Sequence, residues 1–480
     1  MTISLILVIS AQFLLGFGLI TRLRTVSTGF SLLGLSMLTG LGLSTVIPIG
    51  IQLSHLPISP TPMFIGLGIL AGSSLLLLRG QGNYLRLLFS WKRISFRLFE
   101  LPFLAFWAYL LVISAWKCAW FPNLPFDTIV GPDLVATFAV REQTLVSSVF
   151  TEHLPTASVF SNQPFYAPFS TMQQVIYLLA ADDSGPFPFG KVWLTVVVIA
   201  FGVFLYAELR ERIHPLLAGL LVTILACSPE LFAYTFLVQT DWANAAFFAT
   251  GVILVQRYLA SGQPITLVAS ALMLAFACWT RTETIFFVPI GSLLVWLHSP
   301  GIPKKSGFLR ATAVSIACLV PVVFWNYGFL RGYIPLPPNA SLGKVHGFTD
   351  SYVGQLASVY ATMNEQVVFD EIYWGYAVPI FLVLTAINVF VFRDKRGLSI
   401  LLWIAGIYII FGLLIQHIDG ANIPFTFRRG FFKLLFLMYY YLGITSLFRW
   451  LSDWLYRWEG KHPASNNLLK LRSDCAFVTI

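Results

Sequence analysis

The chain has 480 residues, a formal net charge of +9 and only 11% charged side chains. A water-soluble domain carries about a quarter charged residues, so 57% hydrophobic residues and a mean hydropathy of +0.78 exclude that class. Apolar windows of about 20 residues recur from end to end, the signature of membrane-spanning helices. The basic surplus then belongs to a rim facing anionic headgroups, not to a nucleic-acid surface.

Thirteen windows stand out, at 3–20, 29–52, 63–78, 99–118, 190–207, 215–232, 242–258, 264–280, 284–298, 311–328, 374–392, 398–416 and 430–448. They predict an all-α membrane protein of about 13 transmembrane helices. The first window begins MTISLILVIS, with no basic segment before it and no small-residue cleavage site. It reads as a retained span and not as a signal peptide. Residues 1–98 form an N-terminal three-helix bundle with an interfacial loop, GQGNYLRLLFSWKRISFR, that interleaves basic and aromatic residues. A transmembrane core follows over 99–448, then a tail, 449–480, beginning RWLSDWLYRW.

With the N-terminus outside and the C-terminus cytoplasmic, the loops on the inner face hold 21 of the 30 Lys and Arg, and 14 of the 21 Asp and Glu fall on the other face. That asymmetry sets topology in multi-pass proteins, and it places long loops at 119–189 and 329–373 on the outer face, periplasmic or extracellular in a bacterium and lumenal in a eukaryote; a bacterial inner membrane is the expected location. The first of these loops is too long for a structureless connection. Its stretch DLVATFAVREQTLVSSVF (133–150) has apolar residues at helical spacing, so amphipathic surface helices are expected there.

Ionisable residues are scarce enough to be conspicuous. Asp127, Asp133, Arg141 and Glu142 crowd the first outer loop, and Tyr166 follows in QPFYAPFS. A carboxylate just above a membrane surface suits a general base; the plainer alternative makes Asp133 a helix cap and Asp127 a solvated loop residue. Asp241 in LVQTDWANAAF stands at the mouth of the seventh window, and Arg281 and Glu283 in WTRTETIFF lie between two apolar helices. Charges at such depths are costly and default to functional candidates. Arg428 and Arg429, in IPFTFRRGFFK, suit a phosphate group, or else anchor the last span. The five cysteines make no CxxC pair, and the histidines have no metal-ligand spacing.

The arrangement resembles the GT-C glycosyltransferases, polytopic membrane enzymes that take a sugar from a polyprenyl-phosphate carrier. FPNLPFDTIVGPDLVATFAVREQ looks like their first large outer loop, and QPFYAPFS resembles the proline and tyrosine segment that follows it. TRTE resembles their arginine–x–glutamate, and FRRGFFKLLFLMYYYLG their last span. The order of these features over 99–448 carries the resemblance; three extra N-terminal spans and the lack of a soluble C-terminal domain depart from it. It implies Asp133 or Asp127 as catalytic base, and Asp241 as a second acid supported by Arg281 and Glu283. Arg428 or Arg429 becomes the carrier-phosphate ligand, and Arg141, Glu142 and Tyr166 become acceptor or loop contacts. The expected partners are a polyprenyl-phosphate sugar, a glycan, lipid or protein acceptor and the bilayer, with no nucleic acid. No cofactor is expected, and without a paired acidic motif no metal is assigned. Competing readings are an O-antigen polymerase or ligase, a lipid-linked glycan transporter, and a non-enzymatic subunit of a membrane complex.

Overall fold

The computed structural model describes residues 3–89, 96–121, 131–151, 166–181, 190–335, 350–418 and 421–460; Asp127 lies outside them. Among the described residues the chain is helical, with no β-strand. In chain order the helices are α1 (Ile3–Leu23), α2 (Gly29–Ser44), α3 (Val46–Leu53), α4 (Pro60–Leu76), α5 (Gly82–Leu88), α6 (Leu101–Trp120) and α7 (Pro132–Arg141). Then come α8 (Ser148–Thr151), α9 (Phe169–Ala180), α10 (Trp193–Arg210), α11 (Pro215–Ala226), α12 (Pro229–Ala233), α13 (Asp241–Ser261) and α14 (Pro264–Thr280). The last are α15 (Val288–His298), α16 (Lys304–Val323), α17 (Asp350–Met363), α18 (Glu371–Trp374), α19 (Ala377–Ala386), α20 (Leu398–Leu414), α21 (Arg428–Ile444) and α22 (Ser446–Trp458).

Among the described residues, five stretches are long and apolar enough to cross a membrane: Ile3–Leu23, Gly29–Leu53, Leu98–Trp120, Trp193–Arg210 and Lys304–Arg331. A sixth arises if Ile423–Ile444 and Ser446–Trp458, bent by 53°, count as one. Other apolar windows hold helices of 10–17 residues, among them Pro215–Ala226, Pro264–Thr280 and Leu398–Leu414. They fall short of the ~20 residues that a bilayer core requires because local breaks interrupt the apolar runs. One such break is Arg281, in extended backbone between Pro264–Thr280 and Thr282–His298.

Packing centres on α13, most of whose side chains are buried against α14, α21, α10 and α15. The N-terminal helices are built into this core. α1 lies on α2 and α4, α2 lies along α10, and α1 also touches α9 and α14. A side-chain methyl at Gly40 would overlap the backbone carbonyl of Gln12, so α1 and α2 approach to backbone contact, as small residues permit between membrane helices.

Two helices of the first long loop, α7 and α9, differ from each other. α7 keeps the amphipathic form expected, burying Val135, Ala136 and Ala139 and leaving Arg141 exposed. α9 is not a surface helix: Phe169 through Tyr177 are all buried. Its polar residues find partners inside. Gln173 Nε2 donates to the Leu41 carbonyl (2.5 Å) and to Ser44 Oγ (3.1 Å), and Tyr177 donates to Gln12 Oε1 at 2.8 Å. Gln12 in turn donates to Ser44 Oγ (2.9 Å) and Gln173 Oε1 (3.0 Å). Hydrogen-bonded in this way, glutamines carry little burial penalty.

Candidate active site

The start of α13, the end of α14 and the start of α21 meet at one end of the bundle, and each carries a charge there. Asp241, in the first turn of α13, is 1% exposed and takes a hydrogen bond from Arg281 Nη1. Arg281 closes α14 in extended backbone, and its Nε pairs with Glu283 two residues on. Arg429 Nη1 lies 3.9 Å from Asp241 Oδ2 and donates to Gln239 Oε1 at 3.1 Å. Arg428 turns the other way: its Nε is 3.1 Å from Glu230 Oε1 on α12, and its guanidinium lies 4.6 Å over the Tyr373 ring. The two neighbouring arginines therefore differ in partners. Arg429 faces the centre of the cluster, and Arg428 braces α21 against α12 and α18.

One turn further along α21, on the face of Arg429, Lys433 is 1% exposed. It lies over the Phe287 ring at 5.9 Å and within electrostatic reach of Glu283 and Arg281. Four basic side chains (Arg281, Arg428, Arg429, Lys433) thus gather with three carboxyls (Glu230, Asp241, Glu283), a formal surplus of one positive charge. Among the described residues no group of three or more His, Cys, Asp or Glu could hold a metal ion.

A small open cleft beside this cluster is lined by Pro132, Tyr166, Gln239, Thr240, Asp241 and Arg429. Pro132 brings α7 to it, and Asp133 is the next residue. Asp133 does not cap its helix: Gly131 holds that position, with no side-chain cap. Asp133 sits in the first turn, where the helix dipole favours a negative charge, and accepts a hydrogen bond from Gln174 Nε2 at 2.9 Å. Lys191 is close enough to interact with it electrostatically.

Residues 170–325 match the family model described as dolichyl-phosphate-mannose-protein mannosyltransferase. That family is of the GT-C class, and its match decides between an enzyme and a passive membrane subunit. The matched stretch, about a third of the chain, is similar to that family of membrane glycosyltransferases, and it indicates a glycosyltransferase enzyme. No curated protein and no solved structure matches the chain. The matched stretch runs from α9 into α16, so it holds Glu230, Asp241, Arg281 and Glu283.

In this glycosyltransferase Asp241, Arg281, Glu283, Arg429 and Tyr166 lie at or beside one cleft, with Asp133 next to a lining residue. Arg141 and Glu142 do not join them. They end α7 about 12 Å along the helix from Asp133. Arg141 lies over the Phe138 ring (5.7 Å), and Glu142 accepts hydrogen bonds from the Ser148 N–H (2.8 Å) and hydroxyl (2.5 Å). Sequence reading missed Glu230, Gln239, Gln174 and Lys433. Two of them left a signal: Glu230 as a charge in a sparsely charged chain, and Lys433 as a charge four residues after Arg429 on the same helical face.

Proposed function

We propose that this glycosyltransferase moves a sugar from a polyprenyl-phosphate carrier to a hydroxyl of a glycan, lipid or protein acceptor at the outer face of the membrane. Asp133 accepts the proton of the acceptor hydroxyl as its oxygen bonds to the anomeric carbon. The bond from that carbon to the phosphate oxygen breaks, and Arg429 holds the departing phosphate. Asp127 is the alternative base on sequence grounds. Asp241, enclosed by Arg281 and Arg429, fits a positioning role, since a carboxylate held by two guanidiniums is a poor proton acceptor.

The observation that carries this reading is Arg429 lining a cleft, with Arg281 close by on Asp241, at one end of an otherwise apolar bundle. A phosphodiester-linked sugar brings one negative charge to that cleft, and preorganised cations at a developing phosphate are an efficient source of rate. The matched family's name supports mannose as the first donor to test. The loop charge asymmetry supports thirteen spans and an N-terminus outside; the location proposed is a bacterial inner membrane.

The test uses the full chain reconstituted in lipid with radiolabelled polyprenyl-phosphate mannose and related lipid-linked sugars. Asp133→Asn is expected to lose turnover by about 10²–10⁴-fold while donor binding stays. Arg429→Gln is expected to weaken donor binding. Full activity in both Asp133→Asn and Asp127→Asn would overturn the assignment.

A further inference from the structure

Consecutive glutamines on α9 face different ways. Gln173 is committed to the N-terminal helices, and Gln174 is committed to Asp133. Gln174 is 1% exposed; its Nε2 donates to Asp133 Oδ1 at 2.9 Å, and its Oε1 accepts the indole N–H of Trp193 at 2.7 Å. The direction of this chain is set by chemistry. An indole nitrogen only donates, so it holds the amide oxygen toward Trp193 and the amide nitrogen toward Asp133. Trp193 is fully buried, with its ring edge-on to Phe169 at 5.9 Å between centroids. The indole is therefore fixed by packing, and the glutamine is fixed by the indole.

The consequence falls on Asp133. An amide N–H serves a carboxylate as acceptor and gives nothing to the hydroxyl of a protonated acid, so it favours the charged form. Several charged and titratable groups among the described residues face Asp133 or its cleft. Lys191 faces it from the turn before α10, and Tyr166, Asp241 and Arg429 line the cleft that its neighbour Pro132 borders. α9 carries no Asp, Glu, Lys or Arg. Its contribution to the charge state of Asp133 is the Gln174 amide.

We infer that Gln174, locked by Trp193, is a positioning residue that keeps Asp133 ionised and in a fixed orientation for proton acceptance; the inference rests on the reading of Asp133 as the base. It asks for no new reactant: the proton leaves the acceptor hydroxyl and arrives on a carboxylate that Gln174 has kept ready.

Two readouts separate the inference from the reading beneath it. The first is infrared titration of the ¹³C-aspartate-labelled full chain in lipid, with the Asp133 band assigned by its loss in Asp133→Asn. In both Gln174→Met and Trp193→Phe that band is expected to protonate at higher pH than in the parent. The second is the pH–rate profile of sugar transfer from polyprenyl-phosphate mannose. Its acid limb is expected to move the same way, with roughly tenfold lower turnover on the acid side, recovering as pH rises. An Asp133 band unmoved in both variants overturns the inference, and so does a turnover loss that is even across pH. Trp193→Phe decides alone if Gln174→Met does not fold. If the band moves while Asp133→Asn retains full turnover, the inference about charge state stands and the assignment of Asp133 as base fails.

Discussion

Asp241 is the residue on which most of the cluster's electrostatics converge. It is buried, it takes the Arg281 hydrogen bond, and it lies opposite Arg429. Removing one partner of a buried ion pair leaves the other charge uncompensated, which costs roughly 3–5 kcal/mol. Asp241→Asn keeps the volume and removes the charge, so a large fall in unfolding temperature is expected in detergent-solubilised protein. An unchanged temperature would mean that Glu283 alone suffices for Arg281 and that Arg429 has other support. These residues were legible in the sequence because a charge is conspicuous in a chain that is 11% charged, and burying one in an apolar bundle needs a reason. Their pairing was not. Arg281–Asp241 and Arg428–Glu230 join segments 40 and 198 residues apart, and spacing along a chain carries no information about such contacts. Gln174 was hidden for another reason: it is uncharged, and its importance comes from Trp193 on one side and Asp133 on the other.

Among the helices, hydropathy windows placed the apolar elements well, because spanning helices advertise themselves through composition. The expectation of amphipathic surface helices in the first outer loop does not extend to α9, whose two glutamines resemble a wetted surface although the residues around them are buried. The polar atoms are satisfied by α1, α2 and α7, so the sequence pattern and the burial part company. This makes α9 the joint between the N-terminal helices and the cleft: Gln173 answers to Gln12 and Ser44, and Gln174 answers to Asp133. The closeness of α1 to α2 is what lets that network form. Gly40→Ala would drive a methyl into the Gln12 backbone, where no side chain can swing aside, and it is expected to destabilise the protein by about 1–3 kcal/mol. Gly50→Ala, facing open space in α3, is the control, and should be neutral or stabilising by up to about 1 kcal/mol. Thermal unfolding of the two variants checks the pair. Equal behaviour would mean that α1 and α2 separate without cost and that the small-residue contact is incidental.

Across the whole molecule, the opposite end of the bundle holds the chain together through a second polar network. Glu100, before α6, takes Tyr206 and Arg210 of α10. Glu208 and Glu211 gather Arg257 of α13 with Ser27 and Ser31 near α2. Arg97 and His214 both reach Glu459, just past α22, at 2.7 and 3.0 Å. His214 also caps α11: its Nδ1 accepts the Leu216 N–H at 3.2 Å. Nε2 must then carry the hydrogen, and it donates to Glu459. A second proton has to go on Nδ1, where it would break the cap and add charge beside Arg97. Burial is the largest influence and pushes the imidazole below its ordinary value; Glu459 opposes the shift, and Arg97 adds to it. The sign of the pH dependence follows. The unfolded chain binds a proton at His214 more readily than the folded one, so stability falls as pH drops below about 6.5 and levels off beneath the lowered folded value. Above that window the group contributes no slope. His214→Asn keeps a cap acceptor for Leu216 and cannot titrate. Melting curves taken from about pH 7.5 to about 5.5 should therefore show a fall in the parent that is smaller in His214→Asn. Identical slopes in the two proteins would move the acid sensitivity to other groups and leave His214 as a cap alone.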